Sequence, residues 1–258
     1  MRYEFIELVS NGPICTLVMN RPAVHNAFNP QFIGEMTAAL HALAGDDRVR
    51  VLVLTGAGPS FSAGGDLAWM QASQQYTNDR NLADARELDA MFEALNTLPK
   101  PVIGRINGAA LGGGAGLVAC CDLAVAVEEA RFGFTEVKLG LLPAVIAQYV
   151  VPKIGVSHSR ALFVSGERFT SERAFEIGLI HAITDMQELD ATVQSLAQRL
   201  LSSGPRAVGA AKRLVAAIWD LERSAAKTYA VEAIAQARTS AEGQEGLAAF
   251  LAKRRPDW

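Results

Sequence analysis

The sequence predicts an α/β fold with a mainly parallel sheet, followed by an all-helical tail. Continuous apolar runs at Val49 to Thr55, Val102 to Ile106 and Leu123 to Val127 read as strands buried on both faces, with segments of helical period between them. Beyond about Ala144 the strand signals fade and helical spacing takes over. A doubly wound sheet and a strand-strand-helix superhelix both satisfy this pattern.

Each element has a local cause. Tyr3 to Val9 and Ile14 to Met19 alternate polar and apolar residues on either side of Asn11-Gly12, the signature of a β-hairpin, which Asn20-Arg21-Pro22 ends. Asn29 then caps a helix with Pro30 at its first position, and Phe32, Ile33, Met36, Leu40 and Leu43 recur at helical spacing up to Gly45. A second amphipathic helix is expected over Asn78 to Leu98, with Leu82, Ala85, Leu88, Phe92 and Leu95 on one side and Pro99-Lys100-Pro101 as its stop. Phe132 to Phe134 reads as a short strand. Helices are expected at Ser157 to Ser165, Thr170 to Gly178, Leu189 to Leu201, Arg206 to Trp219, Glu222 to Arg238 and Glu245 to Arg254. The apolar positions Ala207, Ala211, Leu214, Ile218, Ala226, Tyr229 and Ala233 need a surface, either a neighbouring subunit or the chain's own core.

Composition narrows the function. The 258 residues suffice for one large domain or a domain with an extension, and 50% hydrophobic against 20% charged residues is a soluble, globular balance. A net charge of −3 offers no basic field for nucleic acid or an anionic membrane, so a phosphate-bearing ligand would need local lysines and arginines. Met1-Arg2-Tyr3-Glu4-Phe5 carries an acid and no long apolar run, unlike a signal peptide, and no stretch approaches the roughly 20 apolar residues of a membrane span. Cys15, Cys120 and Cys121 form no CxxC pair and read as small buried hydrophobes in a reducing cytoplasm. His25, His41, His158 and His181 share no ligand spacing, so no metal site is expected.

Two glycine-rich loops carry the chemistry. Thr55-Gly56-Ala57-Gly58-Pro59-Ser60-Phe61-Ser62-Ala63-Gly64-Gly65-Asp66-Leu67 and Asn107-Gly108-Ala109-Ala110-Leu111-Gly112-Gly113-Gly114 each follow a strand and lead into a helix. Glycines let the backbone approach a ligand, and the first N–H groups of a helix have no partner within it. If the loops face each other, one N–H from each grips a single oxygen, the arrangement that stabilises an enolate or tetrahedral oxyanion. Glu136, in Phe132-Gly133-Phe134-Thr135-Glu136-Val137, is a carboxylate in an apolar exit from a strand, where its pKa should rise toward that of an acid/base catalyst.

Phe61-Ser62-Ala63-Gly64-Gly65-Asp66, Asn107-Gly108 with Leu111-Gly112-Gly113-Gly114, Cys121-Asp122, Phe132-Gly133 with Glu136, and Leu139-Gly140-Leu141-Leu142-Pro143 occur in the order and spacing of one family. With them the chain resembles, from the first strand to Lys253-Arg254-Arg255, the crotonase (enoyl-CoA hydratase/isomerase) superfamily. Phe61 to Met70, Gly114 to Asp122 and Pro143-Ala144-Val145-Ile146 look most like bacterial methylglutaconyl-CoA hydratases, enzymes of leucine and related branched-acid breakdown.

The resemblance implies a β-β-α superhelix over residues 1–197 and a helical trimerisation region over 198–258, assembled as a trimer or a dimer of trimers. It implies a CoA-thioester substrate, no separate cofactor, oxyanion donors on the backbone of Ala63 and Gly113, and Glu136 as acid/base. Gly64, Gly65, Asp66, Leu67, Gly112 and Gly116 would border the substrate, with Asp66 also capping the next helix, and Arg21 and Lys253 would touch the CoA phosphates. Typical hydratases of the superfamily carry a second glutamate where this chain has Gly116. A single glutamate also suits Δ3,Δ2-enoyl-CoA isomerisation, so hydration of a branched or carboxylated 2-enoyl-CoA leads and isomerisation follows. Lys138 is the nearest cation in sequence for a distal substrate carboxylate. A CoA-binding or RNA-binding relative without turnover is the reading from another class, which the acidic balance disfavours for RNA.

Overall fold

The computed structural model describes residues 3–258, so Met1-Arg2 of the acidic start lies outside the described residues. The expected hairpin forms as β1 (Ile6–Asn11) and β2 (Ile14–Met19), paired antiparallel around Gly12, whose φ of 58° the turn requires. Asn29 caps α1 (Pro30–Ala44) by accepting from Phe32 N at 2.8 Å, with Pro30 inside the first turn.

From there two strands precede each helical return. β3 (Val51–Gly56) is followed by β4 (Ser60–Ser62), α2 (Leu67–Ser73) and α3 (Asn78–Asn96). β5 (Val102–Ile106) is followed by β6 (Ala109–Leu111) and α4 (Gly113–Cys120). β7 (Leu123–Val127) is followed by β8 (Arg131–Gly133) and α5 (Ala144–Ser165). The first strand of each unit joins one sheet and the second joins another. Among the described residues the larger sheet runs β1-β2-β3-β5-β7-β10 and the smaller β4-β6-β8-β9, where β9 is Arg168–Thr170 and β10 Ala182–Thr184.

The larger sheet is parallel from β2 onward, and its order follows the chain without reversal. A doubly wound sheet would reverse direction at a switch point, so the fold is the strand-strand-helix superhelix. Its inner strands β3 and β7 are almost wholly apolar because both faces are covered, and all of β3 is buried, whereas the edge strand β1 leaves Glu7, Ser10 and Asn11 exposed.

Several expectations shift. α5 consists of two helical pieces on either side of Gly155 (φ 77°): the later one is the helix expected from Ser157 to Ser165, and the earlier one, from Ala144 with Pro152 inside it, was not expected. β9 and β10 lie in the stretch where strands were expected to have ended. α6 (Ser171–Glu176) is capped by Thr170, as its sequence suggests. α7 (Leu189–Leu201) runs unbroken past residue 197, so the change to the tail comes at the Ser202–Gly204 turn. The tail is α8 (Pro205–Asp220), α9 (Arg223–Thr239) and α10 (Ala241–Leu251), the last four residues earlier than its spacing suggested because Ser240 caps it. No helix is long and apolar enough to cross a membrane.

Candidate active site

The two glycine-rich loops meet. Gly64, with φ at 84°, approaches the other loop so closely that a Cβ on it would lie 2.8 Å from Leu111 O and 3.1 Å from Gly113 N, a contact only glycine allows. Phe28 stitches the first loop in place: its N–H donates to Gly64 O at 2.7 Å, and its carbonyl accepts from Asp66 N at 2.8 Å. The second loop hangs on β8 through Gly112 N to Gly133 O at 2.8 Å.

Between them opens a cavity of about 380 Å³ lined by Ala63, Gly65, Leu67, Gly112, Gly113 and Glu136 of the expected site, and otherwise mainly by apolar side chains from α2, α3 and the start of α5. Glu136 opens a 3-10 turn, Glu136–Leu139, directly against the second loop; a Cβ on Gly112 would lie 3.1 Å from its Oε1. Its Oε2 is buried and has no hydrogen-bond partner among the described residues. Burial pushes the carboxyl above its ordinary value, only partly offset by its own backbone N–H. An unpartnered carboxylate with a raised pKa on a cavity wall is poised to exchange a proton with whatever fills the cavity.

The first donor needs correction. Ala63 N–H donates to His25 O at 2.9 Å and is therefore occupied. Gly65 N–H and Gly113 N–H, both on the cavity wall, have no acceptor among the described residues. They are the pair available for an oxyanion. Which N–H of a small-residue run is free depends on the distant His25 carbonyl, and no local signal carries that.

Several other expected site residues lie off the cavity wall. Asp66 caps α2 through Ala68 N at 2.8 Å and pairs with Arg21 at 2.9 Å. Burial alone would raise its carboxyl, but Arg21 and the helix N–H groups hold it below the ordinary value. Arg21 also donates to Ala27 O and covers the Phe5 ring at 4.6 Å, so its guanidinium is engaged inside the protein rather than free for a CoA phosphate. Lys253 is exposed beyond α10, and Lys138 is exposed and packed along Gly166; neither lines this cavity. Gly116 is buried on α4 and faces Ile146 and Phe92, not the open space.

Sequence reasoning missed Phe28, Thr135, Leu88 and Asp84 as cavity wall. Asp84 is buried, accepts from Trp69 Nε1 at 3.1 Å and pairs with Arg80 at 3.0 Å. A lone buried acid on α3's apolar side was its only signal. Among the described residues no group of three His, Cys, Asp or Glu side chains is arranged to hold a metal ion.

The family model described as Enoyl-CoA hydratase/isomerase matches residues 10–258. The chain belongs to that family. It is an enzyme, a hydro-lyase of the enoyl-CoA hydratase/isomerase family, and has the crotonase fold. The crystal structure of an enoyl-CoA hydratase from Shewanella pealeana is similar with a TM-score of 0.96 and 39% identity, over 100% of this chain and 97% of that one. The crotonyl-CoA hydratase of Syntrophomonas wolfei is 33% identical over 100% of this chain and 99% of its own. The 2,3-dehydroadipyl-CoA hydratase of Escherichia coli is 33% identical over 95% and 94%. An acyl-CoA thioester substrate fits this family.

Proposed function

We propose that this enzyme adds water across the 2,3 double bond of a branched or carboxylated 2-enoyl-CoA, with 3-methylglutaconyl-CoA the example its sequence resemblance suggests. The observation that carries the reading is Glu136, whose unpartnered Oε2 shares a cavity with the free N–H groups of Gly65 and Gly113. Glu136 takes a proton from water as the water oxygen bonds to C3. The double-bond electrons move onto the thioester oxygen, which the two N–H groups receive, and the proton on Glu136 passes to C2 as the enolate collapses. Each lost oxyanion donor should lower turnover about 10²–10³-fold.

Lining residues favour the branched over the carboxylated acyl group. Glu136 and Asp84 are the titratable side chains on the wall, and no lysine, arginine or histidine joins them. A distal carboxylate would have to find its donors in Ser73 and Asn81. Isomerisation is the second reading, favoured by the absence of a carboxylate at Gly116, since one base can move a proton between C2 and C4. Following the 2,3-enoyl thioester absorbance separates these readings. Loss of absorbance with 3-methylcrotonyl-CoA or 3-methylglutaconyl-CoA supports hydration. Gain from a 3-enoyl-CoA, with no loss from any 2-enoyl-CoA, overturns it.

The same reading includes self-association through the tail as a trimer or dimer of trimers. Its support is apolar surface left open, with Val215, Trp219, Val231, Phe250 and Leu251 exposed. Ala226 is buried, and Tyr229 and Ala233 are half-buried beside α8 and α10, so part of the tail's apolar face is covered within the chain.

A further inference from the structure

Gly116 lies buried in the first turns of α4, and its missing side chain leaves no empty space. A Cβ built there would collide with Ile146 Cγ2 and lie 2.9 Å from Ile146 Cβ and 3.1 Å from Phe92 Cε1. Phe92 is fully buried, its ring stacked on Tyr149 at 5.8 Å and edge-on to Phe28 at 6.4 Å. Ile146 stands in the first turns of α5, is 3% exposed, and lines the cavity that holds Glu136. Being β-branched on a helix, it has essentially one favoured rotamer and cannot swing aside cheaply.

We propose that Gly116 and Ile146 act as one size-complementary pair, and that Ile146 is the residue that limits the acyl group this site accepts. A longer side chain at 116 and isoleucine at 146 exclude each other. In this chain the place is taken by a hydrocarbon wall, so the cavity is apolar and short on that side. The site therefore takes short acyl groups, and a long unbranched chain meets Ile146. This deepens the hydratase reading and rests on it.

Two measurements test the pair. Shortening Ile146 should admit bulk: in Ile146→Ala, kcat/KM for 2-octenoyl-CoA relative to crotonyl-CoA should rise about 10-fold or more, with Ile146→Val intermediate. A ratio within twofold of wild type, in a variant that is still folded at the assay temperature, overturns the specificity role. The second measurement is melting, which needs no turnover. Gly116→Ala should lower Tm by roughly 3–10 °C through overpacking. Adding Ile146→Gly should recover part of that loss, so that the double variant loses less than the sum of the singles. Strict additivity would dissolve the pair. If the wild type turns over no 2-enoyl-CoA at all, the hydratase reading fails by itself, while the melting cycle still decides whether the two residues are coupled.

Discussion

The strand-built part of the chain, up to Leu201, and the helical tail after Gly204 use the same local chemistry and reach opposite degrees of burial. In α1 the positions Phe32, Ile33, Met36, Ala39, Leu40 and Leu43 are buried by the chain itself. In the tail, α8, α9 and α10 each bury a single residue, Gly209, Ala226 and Ala249, while Trp219 remains 68% exposed and Phe250 80%. α8 meets the turns that lead into β5 and β7. Its Gly209 sits against Pro99 O, where a Cβ would lie at 2.6 Å, and its Lys212 pairs with Asp122 at 3.0 Å. Helical spacing shows which face is apolar; what covers that face is a property of the tertiary and quaternary structure.

The largest expected effect lies in the strand-built part. Glu136→Gln should lower turnover about 10²–10⁴-fold while leaving the fold intact. The same change should stabilise the protein. Burial raises the carboxyl's pKa, so its native-state stability is fully present below the ordinary carboxylate range and is lost as pH rises through the raised value. Melting at neutral pH should therefore be higher for the variant, and the two proteins should converge near roughly pH 4. Near-normal turnover would move the proton chemistry elsewhere, and equal melting at neutral pH would deny Glu136 its desolvated setting.

Much of this contrast was legible in the sequence, but unevenly. The Asn29-Pro30 cap, the hairpin at Gly12 and the fully buried β3 follow from local patterns long enough to show a period. β4, β6, β9 and β10 have three residues each, too few for any period to declare itself. Glu136 was identified from its motif, whereas the exchange of Ala63 for Gly65 as donor and the filling of Gly116's place by Ile146 arise from contacts between segments far apart in the chain.

Ion pairs extend the comparison. Arg21 and Asp66 pair at 2.9 Å with side chains 13% and 10% exposed. Asp66→Ala should destabilise by about 3 kcal/mol, since it strands the arginine charge and removes the cap of α2. In the tail, Arg254 pairs with Glu245 at 2.6 Å with side chains 46% and 28% exposed, and Glu245→Ala should leave the main melting transition where it was. Similar losses from the two substitutions, read by denaturant titration, would erase the distinction.

Self-association is the next test, because the tail's exposed apolar residues are expected to find their cover there. Deleting everything after Ser203 should convert the assembly to monomer or aggregate, and Trp219→Ser with Phe250→Ser should weaken association while changing monomer stability little. A full-length protein that stays monomeric by light scattering at high concentration would leave the tail as an intramolecular appendage.

The smallest effect is the sharpest test, because one interaction occurs on both sides of the divide. Asn29 caps α1 by accepting from Phe32 N at 2.8 Å, and Ser240 caps α10 by accepting from Gly243 N at 2.9 Å. As isolated hydrogen bonds the two are alike, and replacing either residue by alanine should cost about 1 kcal/mol locally. They differ in what their helices hold. α1 lies over the buried core, so Asn29→Ala should appear as a loss in global stability of about that size. α10 has one buried residue and packs chiefly on the other tail helices, so Ser240→Ala should be absorbed as fraying and show in amide exchange of the α10 backbone with the global transition unmoved. If both substitutions shift the global transition equally, the tail folds as one cooperative unit with the sheets, and its open apolar face has to be explained within that unit.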